Sequence, residues 1–449
     1  MPLTLRHKRL LRSRADHKKR WSAPRGNGCP PQEQAKVSGI GQSWLRPAFS
    51  RLFAPSTAVR TPEEPPKRRL QPGLAAPPQM LNSGRGKSKR HGALLPLTAP
   101  LLLFLALSAQ AADLPRFRWQ NFTTENGLPD NRVYSIAVDG DKVWAGTDNG
   151  LALYENGHWK SFTVADGLAH RAVLSLALDK RTHDLWIGTM GGLSRYSAGR
   201  FDTFTQLTSG LPNDVVYGVS VLGDAVWVAT AAGGARLNTR THQWSPYNER
   251  NTPMYEIWTY SVTAAEDKVY YAVWGGGVLE YDVKTDRWKD YNDPDGETEM
   301  VLFKDQGLIH EITTSVSYVK GILWAATYFG ASRYDGRNWQ NFLDKDSGLP
   351  SNFLNQVKSV DGTRTWFSTD KGLAYYDGER WATYRPSLDT HAPEMLVRDE
   401  KGAVTRVPVE TAPAHHYTFA IDFQNNDVWV ATAKGVSHGI RILTGDSSR

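Results

Sequence analysis

The sequence predicts an all-β chain, a seven-bladed β-propeller of four-stranded antiparallel blades whose ring is closed by the N-terminal strand in the last blade. Three observations predict it. An aromatic-x-x-aromatic phrase occurs seven times, at Trp119 and Phe122, Trp159 and Phe162, Phe201 and Phe204, Trp244 and Tyr247, Trp288 and Tyr291, Trp339 and Phe342, and Trp381 and Tyr384. A second phrase interleaves with it: an aromatic, a small residue two positions on, then usually threonine and glycine. It starts at Trp144, Trp186, Trp227, Tyr270, Trp324, Trp366 and Trp429, at intervals of 41–63 residues, the length of a four-stranded unit with loop insertions. The phrases are also offset. The series opens on an outer-strand phrase at residues 117–122 with no inner strands before it, and ends on inner strands at 417–423 and 428–432 with no outer phrase after them. One such sheet cannot cover both its faces, so the units stack, and the leading strand completes the last one and removes the free edge.

The first full unit shows how each element follows from its residues. Residues 133–138 (VYSIAV), 143–147 (VWAGT) and 151–154 (LALY) read as short apolar strands. Asp139-Gly140-Asp141, Asp148-Asn149-Gly150 and Glu155-Asn156-Gly157 are the turns after them, and Trp159 begins the fourth strand. Strands apolar on both faces fit a sheet sandwiched between neighbours. The small residues Gly146, Gly188, Ala229, Ala272, Ala326, Ser368 and Ala431 let the next sheet approach closely. The tryptophans of the phrase fill the space between sheets, each contributing a few kcal/mol at about 25 cal/mol per Å2 buried.

The net charge of +7 is unevenly placed. Residues 1–111 hold 20 Lys+Arg and 4 Asp+Glu, which leaves 33 and 42 for residues 112–449, a net of −9. The repeat region therefore has no electrostatic footprint for nucleic acid, and no nucleic-acid partner is expected. Arg85, Lys87, Lys89 and Arg90 precede an apolar run over residues 93–107 and the small-x-small site Ala109-Gln110-Ala111, the pattern of a secretion signal cleaved before Ala112. The run is short and holds Pro96 and Pro100, so no transmembrane segment is expected in the mature chain. Met80 lies just ahead of the basic cluster. The expected organisation is a disordered basic leader over 1–79, which reads as an extension ahead of a true start at Met80, a signal peptide over 80–111, and a propeller over 112–449 in the periplasm or outside the cell. Cys29 is the single cysteine, so a chain beginning at Ala112 has no disulfide, thiolate metal site or cysteine chemistry.

The repeats resemble the two-component regulator propeller family. The residues that carry the resemblance are Gly127-Leu128-Pro129-Asp130-Asn131, then Trp144-Ala145-Gly146-Thr147 through Gly150-Leu151 to Tyr154; Gly348-Leu349-Pro350-Ser351-Asn352 and the stretch from Trp366 to Tyr376 repeat them. The resemblance covers roughly residues 113–445. It implies a propeller of the kind found in periplasmic sensors. A kinase, a membrane helix after the propeller and a helix-turn-helix are missing from the sequence, so the expectation carried over is fold and binding, not signalling chemistry.

The residue just before each inner strand should ring one mouth of the central channel: Asn131, Arg171, Asp214, Ile257, Glu311, Asn352 and His416. Capping of strand ends and turns is a sufficient reason for Asn131, Asp214 and Asn352. Departures from the repeat point to a site. The fourth unit replaces the Gly-Leu-Pro turn by Met254-Tyr255-Glu256-Ile257-Trp258 and carries Trp274 in an enlarged second loop; the fifth has His310 and Glu311 at its start and Tyr328 in its second loop. Trp258, Trp274 and Tyr328 are expected near the channel mouth, either as a platform for a sugar ring or other flat ligand, or as a plug. The insertion over 385–415 reads as a hairpin that rises over the same face as a flap.

Other chemistry finds little support. The stretch Asn292-Asp293-Pro294-Asp295-Gly296-Glu297 lacks the spacing of an EF-hand and reads as a solvated turn. Neighbouring His415 and His416 would point to opposite faces of a strand. No metal, cofactor or nucleotide fingerprint is found. The expected function is an exported binding propeller whose partner is an envelope protein, a glycan or a small ligand. The enzymatic alternative is a lyase or hydrolase using His310, Glu311 and His416 at the channel mouth, since some propellers, the streptogramin lyases among them, place a histidine and a carboxylate there.

Overall fold

The computed structural model describes residues 114–296 and 301–443. The leader, the signal segment and Cys29 lie outside the described residues. Seven antiparallel sheets form the ring. Their innermost strands are Val133–Asp139, Val173–Asp179, Val216–Leu222, Thr259–Ala265, Thr313–Val319, Leu354–Ser359 and Thr418–Gln424, and we number the blades one to seven in that order. Six blades have four strands and the sixth has six.

The threonine of the repeat closes the turn between the second and third strands of its blade. Thr147, Thr189, Thr230, Thr327, Thr369 and Thr432 are fully buried. Each hydroxyl donates to the carbonyl of the glycine that begins the third strand, at 2.7–2.9 Å. It also accepts the N–H two residues on, as from Asn149 at 3.1 Å. A buried hydroxyl is thus satisfied in both roles, and three residues of turn are held without help from outside. Blade four has Val273 here, followed by a turn one residue longer before its third strand Gly277–Asp282. Loss of the hydroxyl coincides with the longer turn that carries Trp274.

The blades pack as the small residues predict. A Cβ on Gly146 would lie 2.5 Å from Val173 Cγ1 and 3.0 Å from the Val173 carbonyl of the next blade. Trp227, Trp324 and Trp429 are at most 1% exposed, and Trp324 Nε1 donates across the blade interface to the Gly362 carbonyl at 3.0 Å.

The leading strand Phe117–Phe122 pairs antiparallel with Gly435–Arg441, from Phe117 opposite Arg441 to Phe122 opposite Val436. It is the outer strand of blade seven, and Phe122 stacks on Trp429 at 5.8 Å. Blades seven and one meet where Asp422 accepts the Val138 N–H at 2.9 Å and Gln424 donates to the Gly140 carbonyl at 2.8 Å.

The insertion does not form a flap over the channel face. Its strands Pro393–Arg398 and Val404–Val407 add to the outer edge of blade six, next to Trp381–Pro386, with Trp381 opposite Arg398 and Pro386 opposite Pro393. The short turn through Ser387 and Ala392 sends the chain straight back along an edge that still offers unpaired N–H and C=O groups. Alternation then places Met395, Val397 and Val407 in one apolar cluster with Phe117, Trp119 and Tyr384. Glu394, 3% exposed, is ion-paired with Arg385 at 3.0 Å and Arg406 at 2.8 Å. The returning chain ties down the closing strand: Thr411 Oγ1 accepts from Trp119 N at 2.8 Å, the Ala412 carbonyl accepts from Asn121 at 3.1 Å, and the Tyr384 hydroxyl donates to the Pro115 carbonyl.

Candidate functional site

The turns leading into six of the seven inner strands follow one local rule. The residue two before Arg132, Ala172, Val215, Ile312, Phe353 and Tyr417 accepts that residue's N–H through its side chain. The acceptors are Asp130, His170, Asn213, His310, Ser351 and His415, at 2.8–3.1 Å. An imidazole Nδ1 that accepts a backbone N–H must be unprotonated, so His170, His310 and His415 sit here as neutral rings with the proton on Nε2. Three histidines scattered in sequence therefore share one structural task.

The next residue of the turn is the one expected at the channel mouth. Asn131, Asp214 and Asn352 accept the N–H of Thr124, Gln206 and Asp344 at 2.7–2.8 Å, which anchors the preceding outer loop. Arg171 donates to the Asp148 carbonyl at 3.2 Å and lies 3.8 Å from its carboxylate. The carbonyls of Asp214, Ile257, Glu311 and Asn352 accept from Gly192, Gly233, Gly277 and Gly330 of the preceding blade at 2.6–2.9 Å. This ring is a seam between blades as much as a rim.

Every inner strand carries a β-bulge at its second residue: Tyr134, Leu174, Tyr217, Tyr260, Thr314, Asn355 and Phe419. A bulge re-aims one side chain out of the pleat. The aromatic members meet across blades, Tyr134 against Phe419 at 5.4 Å and Tyr217 stacked on Tyr260 at 4.8 Å. Onto them the predicted aromatics add a continuous line: Trp258 to Tyr260 at 6.1 Å, Tyr260 to Trp274 at 5.1 Å, Trp274 to Tyr328 at 5.6 Å and Tyr328 to Phe353 at 4.5 Å. Trp258, Trp274 and Tyr328 are brought together, with Tyr260 as the link that sequence reasoning missed. All three are half-buried. Burial pushes the Tyr260 phenol far above its ordinary value, so it stays protonated.

Beside this line, the Tyr255 hydroxyl donates to Glu311 at 2.8 Å. Tyr255, Ile257, Leu302 and Phe303 are each more than a third exposed. The turn after blade four is exposed at Pro294 but buried at Asp293. Asp293 is 7% exposed; next to it, a Cβ on Gly307 would lie 2.7 Å from Pro294 Cδ and 3.0 Å from the Asn292 carbonyl. Burial, then the neighbouring Asp295, pushes the Asp293 carboxyl up to about 8.

His416 lies elsewhere. It stacks on His415, ring centroids 4.1 Å apart, at a cavity of about 390 Å3 between the hairpin's return and the closing strand. Trp119, Asn121, His391, Pro413 and Lys434 also line it. Burial, with His416, Lys434 and His391 nearby, pushes His415 down to about 4, and burial also lowers His416. No local motif signals this cavity, because its walls come from segments some three hundred residues apart; the offset of the repeat phrases is the one clue that joins them. The expected trio is thus held by separate partners: His310 by the backbone before blade five, Glu311 by Tyr255, and His416 by the blade-seven cavity.

No described helix is long and apolar enough to cross a membrane. The family described as two component regulator propeller matches residues 127–149. No curated protein matches the chain. Among solved structures, the extracellular domain of hybrid two component system BT3049 of B. thetaiotaomicron is similar at 17% identity and a TM-score of 0.55, over 72% of this chain and 42% of that one. The extracellular domain of BT4673 of the same organism, described as a one component system, gives 16% and 0.53, over 72% and 40%. Virginiamycin B lyase of Staphylococcus aureus gives 13% and 0.52, over 73% and 100%. At these identities the likeness shows the fold alone, and the chain spans about two fifths of the length of the two B. thetaiotaomicron domains. The chain is thus a seven-bladed β-propeller, one unit of which, at residues 127–149, matches the two component regulator propeller family.

Proposed function

We propose that this protein is an exported, sensor-type propeller that binds a flat ligand such as a sugar ring and performs no chemistry. The observation that carries the reading is the aromatic line of half-buried Trp258, Trp274 and Tyr328 joined through buried Tyr260, beside the Tyr255–Glu311 pair. It sits where the chain abandons its own repeat, and a repeating fold has no internal need for such departures. Aromatic edges and faces with an adjacent carboxylate suit a ring that stacks and donates hydrogen bonds. Neither His310 nor Glu311 lines the cavity beside His416, and each is engaged by a different partner, which favours binding over lyase chemistry. Export is supported by the signal pattern ahead of Ala112 and by the extracellular origin of similar domains.

A protein partner in the envelope is the second reading, favoured by the exposed Leu302 and Phe303 on the connection between blades four and five. Glycan-array binding of the purified protein tests the first. Trp274→Ala should remove the signal by tenfold or more, on the order of the 1.4 kcal/mol that a lost stacking contact supplies. Unchanged binding by a folded Trp274→Ala protein refutes it.

A further inference from the structure

We propose that the cavity between the insertion's return, the closing strand and blade seven is a second binding site, and that it takes a small ring-shaped monocarboxylate, a sugar acid or a carbocyclic acid. Its residues are separate from the aromatic line, so the two sites stand or fall independently. The cavity measures about 390 Å3, within the roughly 300–1,000 Å3 of small-molecule pockets. Its walls are fastened by the chain itself. Thr411 Oγ1 accepts the Trp119 N–H at 2.8 Å, the Ala412 carbonyl accepts from Asn121 at 3.1 Å, and the His391 N–H donates to the Ser387 carbonyl at 3.0 Å. A pocket already held in shape loses little to ordering when a ligand enters.

Charge and hydrogen-bonding capacity select the ligand. Lys434, His391, His415 and His416 border the cavity, and among the described residues no carboxylate lines it. Of the charged groups that act most strongly on His415 and His416, only Asp370 is negative, and it stands outside the lining. Lys434 is exposed and has no ion-pair partner among the described residues. His415 Nδ1 is taken by the Tyr417 N–H, so the other ring nitrogen carries the hydrogen, and no described residue accepts it. An ammonium beside a neutral N–H donor complements the single charge and two oxygens of a carboxylate. A phosphate dianion calls for a second cation, whereas burial favours the neutral form of His415 and His416. Trp119 and the rings of Pro386, Pro393 and Pro413 supply stiff apolar wall, which suits the carbon face of a ring. A ligand here touches the closing strand, the insertion's return and blade seven at once, so its binding fastens the ring at its seam.

The test is calorimetric titration of sodium glucuronate and of sodium cyclohexanecarboxylate into the purified protein, with methyl glucoside, cyclohexanemethanol and sodium phosphate as comparisons, paired with thermal melting. At least one of the two acids should bind saturably with a Kd of about 1 mM or tighter and raise Tm; which of them binds separates a sugar acid from a carbocyclic one. Its neutral counterpart and phosphate should each bind at least tenfold more weakly. Lys434→Gln alters an exposed side chain, so the variant folds, and it should weaken binding of the acid at least tenfold. Three results overturn the proposal: no saturable binding of either acid at about ten times that concentration, which leaves a water-filled cleft only; equal binding of the neutral counterpart or of phosphate; or an unchanged affinity in the Lys434→Gln protein, which places the acid elsewhere.

Discussion

His415→Asn separates a structural role from a titrating one. In the native chain His415 Nδ1 accepts the Tyr417 N–H at 3.0 Å. In blade three the same position is Asn213, whose Oδ1 accepts the Val215 N–H at 2.8 Å. Asparagine therefore keeps the turn and deletes the ionisable ring. The native pKa is about 4 against an ordinary 6.5, with burial the largest cause. Because the folded value is depressed, the unfolded chain binds more protons between these limits. Stability is then full above about pH 6.5, falls as the pH drops, and levels off near pH 4. A shift of this size corresponds to at most about 3.4 kcal/mol. The ring borders a cavity open to solvent, which reduces the expected loss to about 1–2 kcal/mol. Urea denaturation of wild type and variant at about pH 7.5 and about pH 4.5 reads it directly. The two proteins should agree within about 0.5 kcal/mol at the higher pH, and the wild type should lose about 1–2 kcal/mol more at the lower. Parallel acid profiles would show that His415 is not held neutral, and would undo the account of the turn histidines.

Two further substitutions probe the ring itself. Gly146→Ala places a methyl 2.3 Å from Ser135 Oγ and 2.5 Å from Val173 Cγ1; the expected cost is about 1–3 kcal/mol, and a neutral denaturation curve would mean that blades one and two are not so closely apposed. Phe117→Ala removes a side chain packed on Trp119, Trp366 and Tyr384 at 5.5–5.8 Å. A loss of about 3–5 kcal/mol is expected, together with faster proteolysis of the leading strand; a protein that melts as the wild type does would show that the strand does not lock the ring.

Much of this architecture was legible before any coordinates, because it is written in short-range periodicity. Strand length, turn residues and the aromatic phrases recur within each unit, and their offset at the two ends specifies that the leading strand must enter the last blade. Trp258, Trp274 and Tyr328 were legible for a related reason: a repeat makes its own exceptions visible. Tyr260 was not, because the bulge that re-aims it is a register shift between strands, and a one-residue shift leaves no mark in composition.

What tertiary structure alone decided concerns long-range burial and open edges. The hairpin over 393–407 has a clear local pattern, but whether it covers a face or extends a sheet depends on which neighbouring edge has unsatisfied N–H and C=O groups, and the outer strand of blade six offers one. The cavity beside His416 needs Trp119 and Lys434 in one place, which only ring closure achieves. Asp293 looks like a residue of a polar turn, yet the folded chain leaves it 7% exposed beside an exposed Pro294. Local spacing encodes what a segment becomes; the dielectric around a carboxylate and the partner of a free edge are properties of the assembled chain.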